Sequence, residues 1–356
     1  MRLAVFSPLI RQGEGGVQAY GLHLVTALRQ NAKIESVALL EIDLPKTPVV
    51  RLIPKFIFLF KALISIVRGT DLVWVTHIDL APVAYLFTKI GGPPYILSCH
   101  GLEVWRDLPP IKQKALQAAK RLLPVSHYTM QQLIHHYGIA EEQCVLFPNT
   151  YESRSALSDR CRSRNQIAQE WNIPESDLIL FSLSRLRPED REKGYGQTLR
   201  VTAALNEKGL SCTYIAAGSG SDIQWLQSLA GELRIADKLK CPGFVTNDQL
   251  PRYYQAADLF IMPSLKEGFG IVFLEALDAG LPVLAGDQDG SSEPLLNGEL
   301  GFLCDPHDVQ EMVQTVKDFF ANKSHPFHQP EFLRSRVNEA FGQQAYMKRL
   351  EDFLSQ

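Results

Sequence analysis

Short apolar runs alternate with amphipathic stretches of helical length, in two successive blocks, and this alternation constrains the fold more than any other feature. In the first block RLAVFSP (2–8), ESVALLEI (35–42), DLVWVTHI (71–78), PPYILSCH (93–100), RLLPVSH (121–127) and QCVLFPN (143–149) read as strands rich in Val, Ile and Leu. VQAYGLHLVTALRQ (17–30) and YTMQQLIHHYG (128–138) carry apolar residues at helical spacing. Strands of this kind with helices between them specify a parallel sheet covered by helices. The pattern stops after Asn149 and resumes with DLILFSLSRL (177–186), CTYIAAG (212–218), LKCPGFV (239–245), DLFIMPS (258–264), PVLAGD (282–287) and GFLCD (301–305). YGQTLRVTAALNEKG (195–209) and GIVFLEALDAG (270–280) are helices among them.

The fold class read from this is α/β, with two Rossmann-like, doubly wound domains. Residues 1–150 form the first and 176–340 the second. The polar, strandless stretch 151–175 is the linker, running into a short helix. AFGQQAYMKRLEDFLSQ (340–356) is a final amphipathic helix, with 341–356 able to cross back to the first domain. At 356 residues and 46% hydrophobic, the chain is too long for one ordinary core. In such folds a ligand sits at the carboxyl ends of the strands, so the expected site is a cleft between the two domains.

Charge is unevenly spread. Residues 1–150 hold 15 Lys and Arg against 10 Asp and Glu, and the remainder holds 21 against 29. The overall net charge of −3 argues against a nucleic-acid partner. Cys99, Cys144, Cys161, Cys212, Cys241 and Cys304 are scattered without a CxxC, so neither a zinc site nor a disulfide framework is expected. No run of roughly 18 uncharged apolar residues occurs, so no spanning helix is expected. The N-terminus reads as a buried strand rather than a secretion signal, which places the protein in the cytoplasm.

PSLKEGFGIVFLEALDAGLPVLA (263–285) is the strongest local signal. A strand ends at Ser264, a glycine loop carries Glu267, and the helix that follows carries Glu275 in its second turn. Free N–H groups at a helix start suit a phosphate, and glycine lets the backbone come close to it. Two carboxylates beside that loop can accept hydrogen bonds from sugar or ribose hydroxyls. Without the rest of the stretch, the same residues would be a capped amphipathic helix with two surface glutamates.

The segment resembles the E-x7-E signature of the retaining glycosyltransferases of the GT-B fold, family 4 (glycosyl transferases group 1). The resemblance extends over nearly the whole chain and implies the GT-B architecture. It implies that Glu267 contacts the transferred sugar and that Glu275 binds ribose hydroxyls. Backbone groups of Gly268, Phe269, Gly270 and Ile271 would face the diphosphate and sugar. FSLSRLRPEDREKGYGQTL (181–199) is similar to the family's strand–Arg–x–Lys-Gly segment, with Arg185 and Lys193 as the matched diphosphate ligands and a longer, more charged loop between them. CPGFVTNDQL (241–250) resembles a strand end where the backbone of Phe244 and Val245 would meet the base, and AAGSGSD (216–222) resembles the strand end before it. GSSEPLLNGELGFLCDP (290–306), with Glu293, matches the family's late pattern and reads as structural.

In the first domain, Gly15 and Gly16 in QGEGGVQAYGLHL look like the family's double glycine facing the diphosphate. A dinucleotide fingerprint fails on spacing, because position 18 is Gln18 and the loop after Ser7 is too long. SCHGLEVW (98–105) is similar to the family's His-Gly segment and implies that His100 bonds the donor sugar, at its C6 hydroxyl. His77 and Asp79 read either as an acceptor-facing pair or as a strand-terminal turn, the turn being favoured. PNTYES (148–153) departs from the family's usual Asn-Gly-Val-Asp. Asp287-Gln288-Asp289 spells D-x-D but stands where a strand-end loop is expected. No metal site and no cofactor are expected, the donor being a substrate.

Residues 44–70 lack Asp and Glu and carry Lys46, Arg51, Lys55, Lys61 and Arg68 among FIFLF and ALISIV. On a helical wheel begun at Arg51, the basic residues from there to Arg68 span an arc of about 140°, and the other side is almost wholly apolar. The segment 46–68 reads as an interfacial helix on an anionic membrane surface or as a helix packed on its own sheet with basic tips in solvent. The need of any α/β helix for an apolar face favours the second.

Taken with the resemblance, these features imply an enzyme: a retaining hexosyltransferase using a nucleoside-diphosphate sugar. The acceptor is a hydroxyl on a sugar, lipid-linked in cell-surface polysaccharide or glycolipid synthesis, with the protein peripheral on the inner membrane face. A non-catalytic nucleotide-sugar-binding protein, or a phosphorylase or epimerase on the same fold, are the alternatives.

Overall fold

A computed structural model describes residues 1–9, 16–42, 52–153 and 160–355. The chain forms two compact units, Met1–Thr150 with Gln344–Gln356, and Tyr151–Gln343.

In the first unit β1 (Arg2–Pro8), β2 (Ser36–Ile42), β3 (Leu72–Val75), β4 (Tyr95–Cys99) and β5 (Arg121–Pro124) form a parallel sheet of order β2-β1-β3-β4-β5. Val5 lies opposite Leu39 on one side and Trp74 on the other. The strands are apolar on both faces because both are covered. Phe6, Leu40, Val75 and Leu97 pack with Phe58 and Ala62 of the helix Leu52–Val67. On the opposite face Leu3, Val5, Trp74 and Ile96 meet Leu24 and Leu28 of the helix Gly16–Gln30.

The chain terminus completes that second face. The tail helix expected over 340–356 is Gln343–Phe353, set off from the preceding helix Pro330–Phe341 at Gly342, whose backbone turns extended. A Cβ at Gly342 would lie 2.2 Å from Asn338 Oδ1, so glycine permits the break. The last helix buries Tyr346 and Leu350 in the first unit's core.

In the second unit β6 (Leu178–Leu183), β7 (Cys212–Ala217), β8 (Leu239–Gly243), β9 (Leu259–Met262), β10 (Val283–Gly286) and β11 (Phe302–Cys304) form a parallel sheet of order β11-β10-β9-β6-β7-β8. The winding reverses between β6 and β9, which makes their carboxyl ends the switch point where ligands bind in such sheets. β6 ends just before Arg185 and β9 just before the Glu267 loop. Within the stretch assigned to the linker, the helix Arg160–Trp171 belongs to this unit. Its Arg164 reaches Asp258 at 2.6 Å and the Asp177 carbonyl at 2.7 Å. Among the described residues, no helix is long and apolar enough to cross a membrane.

Candidate active site

Two loops meet at the switch point. The one leaving β6 turns through a short 3-10 segment, Pro188–Lys193, and ends at Gly194 with φ of 83°. A Cβ on Gly194 would stand 2.2 Å from the Pro263 carbonyl oxygen, so only glycine lets this loop lie against the end of β9. The Leu265 N–H donates to the Glu192 carbonyl at 2.7 Å, and Lys266 pairs with the Glu192 carboxylate at 2.6 Å. These ties bring Lys193 to Glu267, and the two form an ion pair largely shielded from water.

The added length of the β6 loop is accounted for by its charges. Arg191 grips Asp222 through two bonds, 2.6 and 3.0 Å, and stacks over Trp225 at 4.1 Å. The Tyr195 hydroxyl donates to the same carboxylate at 2.6 Å. The Arg191 contact holds the Asp222 carboxyl below its usual range. Arg185 is 61% exposed at its side chain and is held by a single 2.9 Å bond from Nη2 to Asp190, which is itself buried. The rest of the Arg185 fork therefore faces outward.

The Glu267 loop is fixed from beneath by Asp289. One carboxylate oxygen accepts from the Ser264 hydroxyl at 2.7 Å and from the Glu267 N–H at 2.5 Å, and the other accepts from the Ser291 N–H at 2.9 Å. Gly290 N–H donates to the Glu267 carbonyl at 2.8 Å. A Cβ on Gly290 would stand 2.2 Å from the Gly268 carbonyl oxygen. Burial raises the Asp289 carboxyl to about 6, the nearby Glu267 charge adding to the shift against the hydrogen bonds. Asp289 of the D-x-D triplet thus points into the loop, and Gln288 bonds Asp305 at 2.9 Å.

Phe269 is buried edge-on to Phe341. Gly270, in a left-handed conformation, starts the helix Ile271–Asp278, and no side chain caps that start. One turn on, Glu275 accepts from the Tyr254 hydroxyl at 2.9 Å, with Tyr254 edge-on to Phe181. Arg185, Lys193, Gly268 to Ile271, Glu267 and Glu275 are therefore all carried at the β6 and β9 ends. Phe244 and Val245 follow β8, Val245 buried and the Phe244 ring exposed. Sequence reasoning did not single out Asp190, Tyr254 or Ser264, and read Asp289 only as part of a loop. An acid within the unusually long Arg185–Lys193 loop was the one available pointer, to Asp190.

His100 follows β4, and its Nε2 bonds the Thr76 carbonyl at 2.8 Å, which fixes Nε2 as the protonated nitrogen of the neutral ring. Burial lowers its proton affinity, so the neutral form prevails at pH 7. The backbone N–H of His100 donates to the Glu103 carboxylate at 2.5 Å, and Tyr20 packs edge-on to the imidazole ring. His77 caps its own turn by accepting from the Asp79 N–H, and Asp79 pairs with Lys112 at 2.5 Å, which is the strand-terminal turn reading. Gly16 begins the first helix, whereas Gly15 lies outside the described residues.

Comparison with known proteins gives the family and the fold. Residues 163–337 match the model described as glycosyl transferases group 1, and residues 15–153 match glycosyltransferase family 4. A GDP-mannose-dependent alpha-(1-6)-phosphatidylinositol monomannoside mannosyltransferase of Mycolicibacterium smegmatis is 28% identical over 254 residues, 68% of this chain and 65% of the relative. The chain thus spans just under two thirds of that relative's length. A D-inositol 3-phosphate glycosyltransferase of Streptomyces avermitilis is 29% identical over 219 residues, 58% of this chain and 46% of the relative. The crystal structure of Anabaena Alr3699/HepE in complex with UDP and glucose superposes with a TM-score of 0.78, at 17% identity, covering 100% of this chain and 99% of that one. Two parallel α/β sheets, a charged switch point and two matched models together show that the chain belongs to the group 1 and family 4 glycosyltransferases of the GT-B fold.

Proposed function

We propose that this protein is a hexosyltransferase that moves a sugar from a nucleoside diphosphate to an acceptor hydroxyl with retention of configuration. The observation that carries the reading is the convergence of Arg185, Lys193, Glu267 and Glu275 on the β6 and β9 ends. A nucleoside diphosphate gains negative charge as its bond to the sugar breaks. The outward Arg185 fork and the Lys193 ammonium meet that charge, each worth roughly 4 kcal/mol at 4 Å and an effective dielectric near 20, before desolvation. Glu267 keeps Lys193 in place and offers carboxylate oxygens to the sugar, with the Gly268 to Ile271 backbone beside it. Glu275 takes the ribose hydroxyls, and the strand end at Phe244 and Val245 takes the base.

The reaction needs no protein nucleophile. The C1–O bond to phosphate breaks, the acceptor oxygen bonds C1 on the same face, and the acceptor proton passes to the departing phosphate oxygen. From the first unit the family resemblance assigns Gly16 to the diphosphate, Gly15 lying outside the described residues. The first unit also contributes His100, whose unprotonated Nδ1 accepts from the donor's C6 hydroxyl. A lipid-linked acceptor at the membrane surface fits the M. smegmatis relative, which is named for a phosphatidylinositol monomannoside. It also fits the basic first half of the chain. Surface polysaccharide or glycolipid synthesis is the corresponding setting.

A thermal-shift screen of UDP-, GDP- and ADP-sugars tests the donor site, with one base family expected to stabilise selectively. No stabilisation by any of them would sink the reading. Release of nucleoside diphosphate that depends on an acceptor separates transfer from mere binding. Turnover driven by inorganic phosphate would instead indicate a phosphorylase.

A further inference from the structure

The helix Leu52–Val67 packs Phe58 and Ala62 onto the sheet, with Phe58 2% exposed and edge-on to Phe6 at 5.2 Å. Its other side does not turn polar. Phe56, Phe60, Leu63 and Val67, spaced i, i+4, i+7 and i+11, form one stripe away from the core, 68%, 64%, 44% and 77% exposed. Ile57 and Leu59 widen it. A helix apolar all round is normally buried all round, and a contiguous exposed patch of this kind marks an interaction surface. The sequence favoured a helix with basic tips in solvent and its apolar side on the sheet. Phe58 and Ala62 do pack on the sheet and Lys61 and Arg68 are exposed, but a second, broader apolar side faces out.

The charges indicate what covers it. Lys61 and Arg68 are exposed along one border of the stripe. Arg2 joins them at the helix end, donating to the Arg68 carbonyl at 3.0 Å. The acid nearest to that end in sequence, Asp71, is already engaged by the Arg2 N–H at 2.6 Å. An apolar stripe bordered by cations, on a helix without a single carboxylate, complements lipid phosphates above acyl chains. Long basic side chains at the border reach the headgroups while the stripe sinks below them.

We infer that the outward face of Leu52–Val67 docks the protein on an anionic lipid bilayer, Phe56, Phe60, Leu63 and Val67 entering the acyl boundary and Lys61 and Arg68 binding phosphate. This rests on the reading of a lipid-linked acceptor and names the surface that brings the enzyme to it.

Co-sedimentation of the full chain with vesicles of phosphatidylcholine alone, and of phosphatidylcholine with one third phosphatidylglycerol, tests it. Recovery is expected with the mixed vesicles and not with the neutral ones. Phe56→Ser with Phe60→Ser should abolish it, and Lys61→Gln with Arg68→Gln should weaken it about 30-fold. Both variants should keep the wild-type melting temperature and the shift given by nucleotide sugar. Equal recovery with both vesicles, recovery with neither, or an undiminished phenylalanine double variant would overturn the inference. So would a solution dimer lost in that variant, since a second copy would then be the occupant. Vesicle binding without any nucleotide-sugar shift would leave this inference standing and remove the donor reading instead.

Discussion

At the carboxyl end of the second sheet, Arg185, Arg191, Lys193, Glu267 and Glu275 each have a named partner in the same unit. On the helix Leu52–Val67, large side chains that would ordinarily seek a partner face water. The contrast shows two ways of being ready for a ligand. The charged loops are ordered in advance, so binding need not organise them. The helix keeps its apolar stripe uncovered, so its association is driven by the area it still has to bury.

The sharpest way to break the contrast is to remove a pre-ordered charge. Arg185→Ala and Glu275→Ala are each expected to cut transfer by about 10² to 10³ or more, with the melting temperature of the second unit kept. Wild-type turnover in both would contradict the site. Next comes a cut on the buried side of the same helix that carries the uncovered stripe. Phe58→Ala should cost about 3–5 kcal/mol, read by denaturant unfolding of the first unit. Gly194→Ala should follow at about 2–3 kcal/mol, because a Cβ meets the Pro263 carbonyl in a left-handed conformation. It should also lower transfer by displacing Lys193.

A subtler test concerns Asp289. Its folded-state carboxyl lies near 6 against an ordinary value of 3.8, so the folded chain binds the extra proton between those values. Stability from this group is fully present below about pH 4 and is lost as pH rises through about 6. Asp289→Asn should remove that part of the pH–stability profile, and an unchanged slope would contradict the shift. The smallest effect is expected for Phe60→Ser measured without lipid, within about 0.5 kcal/mol of wild type, since that ring has little protein contact to lose.

The doubly wound fold was legible because its strands are apolar on both faces, and alternation of that kind admits few architectures. The placement of Glu267 in the glycine loop and of Glu275 on the helix after it was legible because glycine spacing and helix start are local properties. The partners of the charged loops were not. Asp222 and Asp289 reach their roles through strand ends that the sheet order brings together, and linear spacing does not encode sheet order. Asp190 lies in the same loop as Arg185, and its only signal was an acid in that long loop. The side of Leu52–Val67 that faces the sheet was hidden for another reason. A helix apolar around most of its circumference has no sequence asymmetry to say which apolar side is inside.

The terminal helix has a consequence for how the molecule is made. Tyr346 and Leu350 fill the first unit's core, yet they leave the ribosome after every residue of the second unit. The N-terminal sheet must therefore wait, incompletely sealed, while roughly half the polypeptide is synthesised, and a fragment stopped at Thr150 would be born with that gap still open.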